Sequence, residues 1–251
     1  MEHYLPGDKD YAELKEKYKK SLTKQDSKTV DIIIDSAYFI LGELHFLSET
    51  LMIYGFYQRQ ANDIFGLKNE NISQLFKSNS NAIVRTLYNS FFNMLSRGKK
   101  NTQVSFQQLI SFFVTYNLKE PSMPQLLDNK ITKTFLNNEL KVTEMVKTST
   151  EIFNFLVERE NEISYIEQVR HRISGHNSVE RLKIGYVEIS NIEYVDAFIG
   201  WTQSLLNIIL DTNKSTLEEE VMRLSNTLEE ITQYLGKWKK MLKKGIILYK
   251  D

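Results

Sequence analysis

The residues best suited to chemistry are gathered in Arg170-His171-Arg172-Ile173-Ser174-Gly175-His176-Asn177, which holds two of the chain's four histidines. A histidine titrates near neutrality, so it can take the proton of a ribose 2′-hydroxyl or give one to a leaving 5′-oxygen. A guanidinium can stabilise the extra negative charge of a phosphorus-centred transition state. Arg170 and His176, with His171 between them, therefore form a set suited to phosphate chemistry without a metal. The close histidines have no carboxylate at ligand spacing, so no metal site is expected. Ser174 and Ser178 lack the setting of a nucleophile elbow. No glycine-rich phosphate loop is present either, and no cofactor is expected.

One ideal helix cannot bring Arg170 and His176 onto one phosphate. Six residues turn through about 600°, which leaves the two side chains about 120° apart. Joint action requires a helix break near Gly175 or a contribution from a second subunit, and both are expected. Arg170 also continues an apolar stripe of Met145, Ile152, Leu156, Ile163, Ile166 and Ile173, over one or two helices within 135–173. An arginine on such a seam is costly unless it is paired or faces an aqueous cleft.

The elements that must position this stretch read as helices. Three prolines and ten glycines in 251 residues favour long helices over a turn-rich β fold. No strand alternation is apparent, and the expected fold class is all-α. Residues Asp8 to Lys24 are rich in Lys, Glu and Asp, with Tyr11, Leu14 and Tyr18 at helical spacing, which predicts a short exposed helix with one weak apolar face and an otherwise solvated surface. From Asp31, two apolar faces appear on one helix. Val30, Ile33, Ile34, Ala37, Leu41, Leu44 and Leu51 follow the first, and Ile32, Phe39, Phe46 and Ile53 the second, as expected of a central helix packed on several sides. His45, within it, is assigned no role.

Further on, Ile83, Val84, Leu87, Tyr88, Phe91, Met94 and Leu95 mark a helix that stops at Gly98-Lys99-Lys100. Ser105-Phe106-Gln107-Gln108 is a capping box. It opens a short helix carrying Leu109, Ile110 and Phe113 that ends before Pro121 and Pro124. Ser190-Asn191-Ile192-Glu193 is a second box, before a helix that buries Val195, Phe198, Ile199, Leu205, Leu206 and Ile209. Ser215-Thr216-Leu217-Glu218 is a third. After it Leu217, Val221, Leu224, Leu228, Ile231, Leu235, Trp238 and Leu242 alternate by four and three, a heptad seam of coiled-coil type. Glu218 to Glu220 begin that helix, and Lys237, Lys239, Lys240, Lys243 and Lys244 end it, both matching the helix dipole. The chain thus divides into a charged helical segment (1–28), a helical bundle (29–212) and a C-terminal amphipathic helix (213–251).

Composition bounds the setting. The formal net charge is zero, so any RNA contact has to rely on a local patch. The absence of cysteine excludes disulfides and thiolate metal sites and suits a reducing cytoplasm. Met1 to Lys28 shows no apolar signal region. Asp35, Glu43, His45 and Glu49 interrupt the most apolar segment, Ile32 to Tyr57, so no membrane span is expected.

With a helix leading in and a capped amphipathic helix following, Arg170-His171 and His176 resemble the R-x(4–6)-H motif of the HEPN superfamily. Leu95-Ser96-Arg97 and Val104-Ser105-Phe106-Gln107-Gln108-Leu109-Ile110 resemble the abortive-infection branch of that superfamily. The resemblance spans roughly residues 30 to 212. It implies a HEPN-like helical bundle, with the C-terminal heptad helix as an addition. It further implies a homodimer in which two motifs meet across a cleft, and metal-independent endoribonuclease activity leaving a 2′,3′-cyclic phosphate. Arg170 and His176 would then be catalytic, with His171 auxiliary, RNA the substrate, and an antitoxin or defence-system protein a further partner. Two positions depart from the pattern. Gly98-Lys99-Lys100 stands where an acidic residue is expected, and Ser178 stands where members paired with a nucleotidyltransferase antitoxin often carry tyrosine. The alternative is a non-catalytic module of the same fold that binds a partner through the bundle and the Leu217–Leu242 seam.

Overall fold

The computed structural model describes residues 9–20, 22–65, 106–117, 120–161, 163–164, 193–211 and 215–243, with scattered positions between 78 and 94. The described part is predominantly helical, and the expected all-α class holds. Its longest element is α2, Lys24–Phe65, 42 residues and about 63 Å at the usual helical rise. No proline interrupts it. Its start is set by Thr23, whose Oγ1 accepts the Asp26 amide at 3.2 Å and donates to the Asp26 carboxylate at 2.7 Å.

One face of α2 carries the core. Val30, Ile33, Ile34, Ala37, Ile40, Leu44, Leu47 and Tyr54 are buried along it. The expectation for the second face is overturned. Ile32, Phe39 and Phe46 are 50%, 52% and 37% exposed, and Ile53 is half-buried. Helix α2 is therefore packed on one side and open on the other.

The first helix, α1 (Lys9–Lys19), packs on the core through its expected apolar face. Tyr18 is only 4% exposed, its ring 4.3 Å from that of Phe135, and Tyr11 and Leu14 pack on the core. Salt bridges tie the rest of α1 to α2. Lys15 reaches Asp35 at 2.5 Å and Asp31 at 3.7 Å, Lys19 pairs with Asp31, and the Tyr11 hydroxyl donates to Asp35.

Helix α3, Phe106–Ser111, leads into a hairpin absent from the sequence-based expectation. Strand β1 (Val114–Asn117) pairs antiparallel with β2 (Glu120–Leu126), from Val114 opposite Leu126 to Asn117 opposite Glu120. Helix α3 ends before Pro121 and Pro124 as expected, and both prolines lie within β2. In a two-stranded sheet each strand is an edge, so a missing amide proton can face away from the ladder. Two short-range asparagine caps follow. Asn129 accepts the Thr132 amide at 2.8 Å to start α4 (Lys130–Phe135), and Asn138 accepts the Lys141 amide at 2.9 Å to start α5 (Glu139–Glu158).

Helix α6 (Glu193–Leu210) closes the core against α2 and α5, and α7 (Ser215–Lys243) packs on α2. Phe198 of α6 is the meeting point. Its ring lies 5.2 Å from Phe91, 5.4 Å from Phe106 and 5.7 Å from Phe155. Such edge and tilted contacts add to the burial each ring already contributes. Phe198→Ala should lower unfolding free energy by about 3–5 kcal/mol. Phe39→Ala, on the open face of α2, should shift it by about 0.5 kcal/mol or less. Denaturant midpoints of the two variants in dilute solution check the contrast.

Candidate functional site

Helices α5 and α6 form an antiparallel pair, and contacts at the two ends show it. Phe155, near the end of α5, lies 5.7 Å from both Phe198 and Trp201 in the first half of α6. At the other end Lys141, in the first turn of α5, donates to Asp211, just past α6, at 2.8 Å. The chain therefore departs from α5 and rejoins α6 at the Phe155–Phe198 end. Arg170, His171 and His176 belong to the sequence that joins these helices and lie outside the described residues, as do the Gly175 break and the Ser190 cap.

Of the upstream segment Val104 to Ile110, residues from Phe106 onward are described. Phe106, Leu109 and Ile110 are buried, and Gln107 and Gln108 are half-buried. That part of the segment is therefore core-forming, with its polar side chains at the margin of the core. Among the described residues, no group of three or more histidines and carboxylates gathers as metal ligands would. A shallow groove of about 460 Å³ at the start of α5 is lined by Leu136, Asn137, Asn138, Glu139, Val142 and Thr143. It holds one carboxylate and no histidine, so by itself it supplies no histidine for proton transfer at neutral pH.

The far end of the α5/α6 pair carries a charged cluster that no local pattern in the sequence announces. Asp211 lies in the left-handed backbone region at φ 55°, a conformation that aspartate tolerates better than most residues. Its two carboxylate oxygens are divided between two ammonium groups, Lys141 from α5 and Lys17 from α1. Hydrogen bonds from Lys141 and Lys17 hold the Asp211 carboxyl below its usual range. Beside them Tyr18 is buried, and its hydroxyl has no hydrogen-bond partner among the described residues. Burial first, and the Asp211 charge second, push this phenol up to about 12. A carboxylate held ionised and a phenol held neutral offer no group that changes charge near neutrality. The cluster is a clasp joining α1, α5 and α6.

Its pH dependence has two limbs. The Asp211 carboxyl is depressed in the fold, so its stabilisation is present above the ordinary aspartate range and is lost as pH falls through the depressed value. The Tyr18 phenol is raised, so its share is present below pH 10 and is lost as pH rises towards 12. Tyr18→Phe should abolish about 1 kcal/mol of the stability lost between pH 7 and 11 while changing stability at pH 7 little. Urea unfolding of both proteins between pH 7 and 11 measures the difference.

The sequence signals for this clasp are weak because Lys17, Lys141 and Asp211 are far apart in the chain. The only local hint is an aspartate directly after the apolar run that ends at Leu210. Comparison of the chain with family models, with curated proteins and with solved structures finds no match.

Proposed function

We propose that this protein is a metal-independent endoribonuclease of phage-defence or toxin type, acting in the cytoplasm. The observation that carries the reading is positional. The Arg170-His171 and His176 motif occupies the connection between two antiparallel, aromatic-locked helices within a helical bundle. Both ends of that connection are anchored in the core by the Phe155–Phe198 and Phe155–Trp201 contacts. In the proposed reaction the ribose 2′-oxygen attacks the adjacent phosphorus while its proton passes to a histidine. The phosphorus–5′-oxygen bond then breaks, and the leaving oxygen takes up a proton. The products are a 2′,3′-cyclic phosphate and a 5′-hydroxyl end. His176 transfers a proton, Arg170 stabilises the pentacoordinate phosphorus, and His171 assists. Two copies of the motif would face one another across a homodimer cleft, and an antitoxin or defence-system protein would restrain the activity.

A specific observation favours a second reading, a non-catalytic module of the same fold. The open apolar face of α2 suits a protein whose role is to bind a partner. Incubating the purified protein with RNA in EDTA and mapping the new ends separates the two. Arg170→Ala or His176→Ala should each slow cleavage at least about 100-fold, with a smaller effect from His171→Ala. Cleavage undiminished in both variants, or no cleavage of any RNA by the wild type, would overturn the catalytic reading.

A further inference from the structure

The outward face of α2 has a definite period. Lys28, Ile32, Asp35, Phe39, Gly42 and Phe46 are all exposed and follow one another at intervals of four and three residues. Glu49 and Ile53, both half-buried, continue the series. A seven-residue repeat of apolar side chains on an exposed helix matches the side-chain spacing of another helix. Gly42 gives the face a notch between its two phenylalanines, because a Cβ placed there would meet nothing within 4 Å.

Charge narrows the choice of helix. Between Lys28 and Arg59 the sequence contains Asp31, Asp35, Glu43 and Glu49 and no lysine or arginine. Asp31 and Asp35 are neutralised by Lys15 and Lys19 of α1. Glu43 and Glu49 have no cationic partner among the described residues. Burial already pushes the Glu43 carboxyl up, so a cation at this point would relieve a desolvated charge. The face therefore suits a basic, apolar helix.

The chain contains such a helix. Along α7 the heptad seam is buried at Leu228, 9% exposed, and emerges at Ile231, 41% exposed. Tyr234 is 69% exposed, with the ammonium of Lys237 over its ring at 5.4 Å. By sequence the remaining turns of α7 add Lys239, Lys240 and Lys243. This α7 already packs on α2 in its own chain, yet leaves Ile32, Phe39 and Phe46 uncovered. To cover them within one chain, α7 would have to leave its seat. A second copy's α7 would not.

We infer that the open face of α2, Ile32 to Ile53, receives the basic C-terminal half of α7 from a second copy of the chain. The exchange is reciprocal, so each dimer contains the contact twice. Each contact then has to supply only half of the roughly 1,600 Å² that a stable interface buries. The inference is independent of RNA cleavage, since the surface joins two copies whether or not Arg170 and His176 act on RNA.

Sedimentation velocity over a concentration series tests it. The wild type should be a dimer at about 100 µM, and Phe39→Ser/Phe46→Ser should weaken association at least about tenfold with unchanged helical circular dichroism. Glu43→Lys/Glu49→Lys should weaken it as well, and so should Lys237→Glu/Lys240→Glu. Mixing these last two proteins should restore the dimer, because every α2–α7 contact in the mixed species regains opposite charges. A monomeric wild type at that concentration would overturn the inference. So would full association of the lysine-to-glutamate variant alone, or failure of the two charge variants to rescue one another.

Discussion

The burial of a single face of α2 is the constraint on which the described structure depends. A helix of this length can hold a bundle together only where neighbours reach it, and α1, α3, α6 and α7 all do so. The neighbours then meet one another. Phe198 brings ring contacts from Phe91, Phe106 and Phe155 together, and Phe135 joins Tyr18 to Phe113. The core is thus a chain of aromatic contacts laid along an aliphatic ridge. Strands β1 and β2 have no sheet to extend and are supported by α5 and by the buried Phe113 at their entrance.

Charge is used differently at the two margins of α1. Towards α2, lysines on one helix meet aspartates on the other in a ladder of partly exposed pairs. Pairs of this kind contribute little singly and more as a network. Towards α5 and α6, one carboxylate is shared by two lysines from different helices and sits over a buried phenol. The first arrangement aligns α1 along α2, and the second fixes where α1 stops.

Periodicity made the helices legible, and its failures are informative. The ridge from Val30 to Leu51 was readable because an aliphatic face repeats at helical spacing, and α7 was readable as a helix for the same reason. Ile32, Phe39 and Phe46 misled, because a sequence records that a face is apolar and not whether anything covers it. The hairpin was missed because Pro121 and Pro124 look like helix boundaries, and no alternation in a strand so short outweighs that signal. The Asn138 cap went unread within what looked like one or two long helices, and Asn129 fell in a stretch to which no element was assigned. Asp211 was hidden for a different reason, since its partners come from positions 17 and 141 and only the tertiary fold brings them together. Arg170, His171 and His176 stand apart from these cases. They were legible as chemistry through residue type alone, and the described helices bear on them by defining the ends of the connection to which they belong.

The Lys17–Asp211 pair carries a consequence for how the chain is made. Its members are 194 residues apart, yet one belongs to the first described helix. At about 5–20 residues per second, a ribosome needs about 10–40 s to pass from one to the other. Throughout that interval α1 has no clasp to close on, and Phe135, which covers Tyr18, comes late as well. The anchorage of α1 to α5 and α6 is therefore completed late, although its contacts with α2 can form as soon as that helix emerges. Until then the end of α1 that carries Lys17 and Tyr18 lacks the partners that enclose it in the fold.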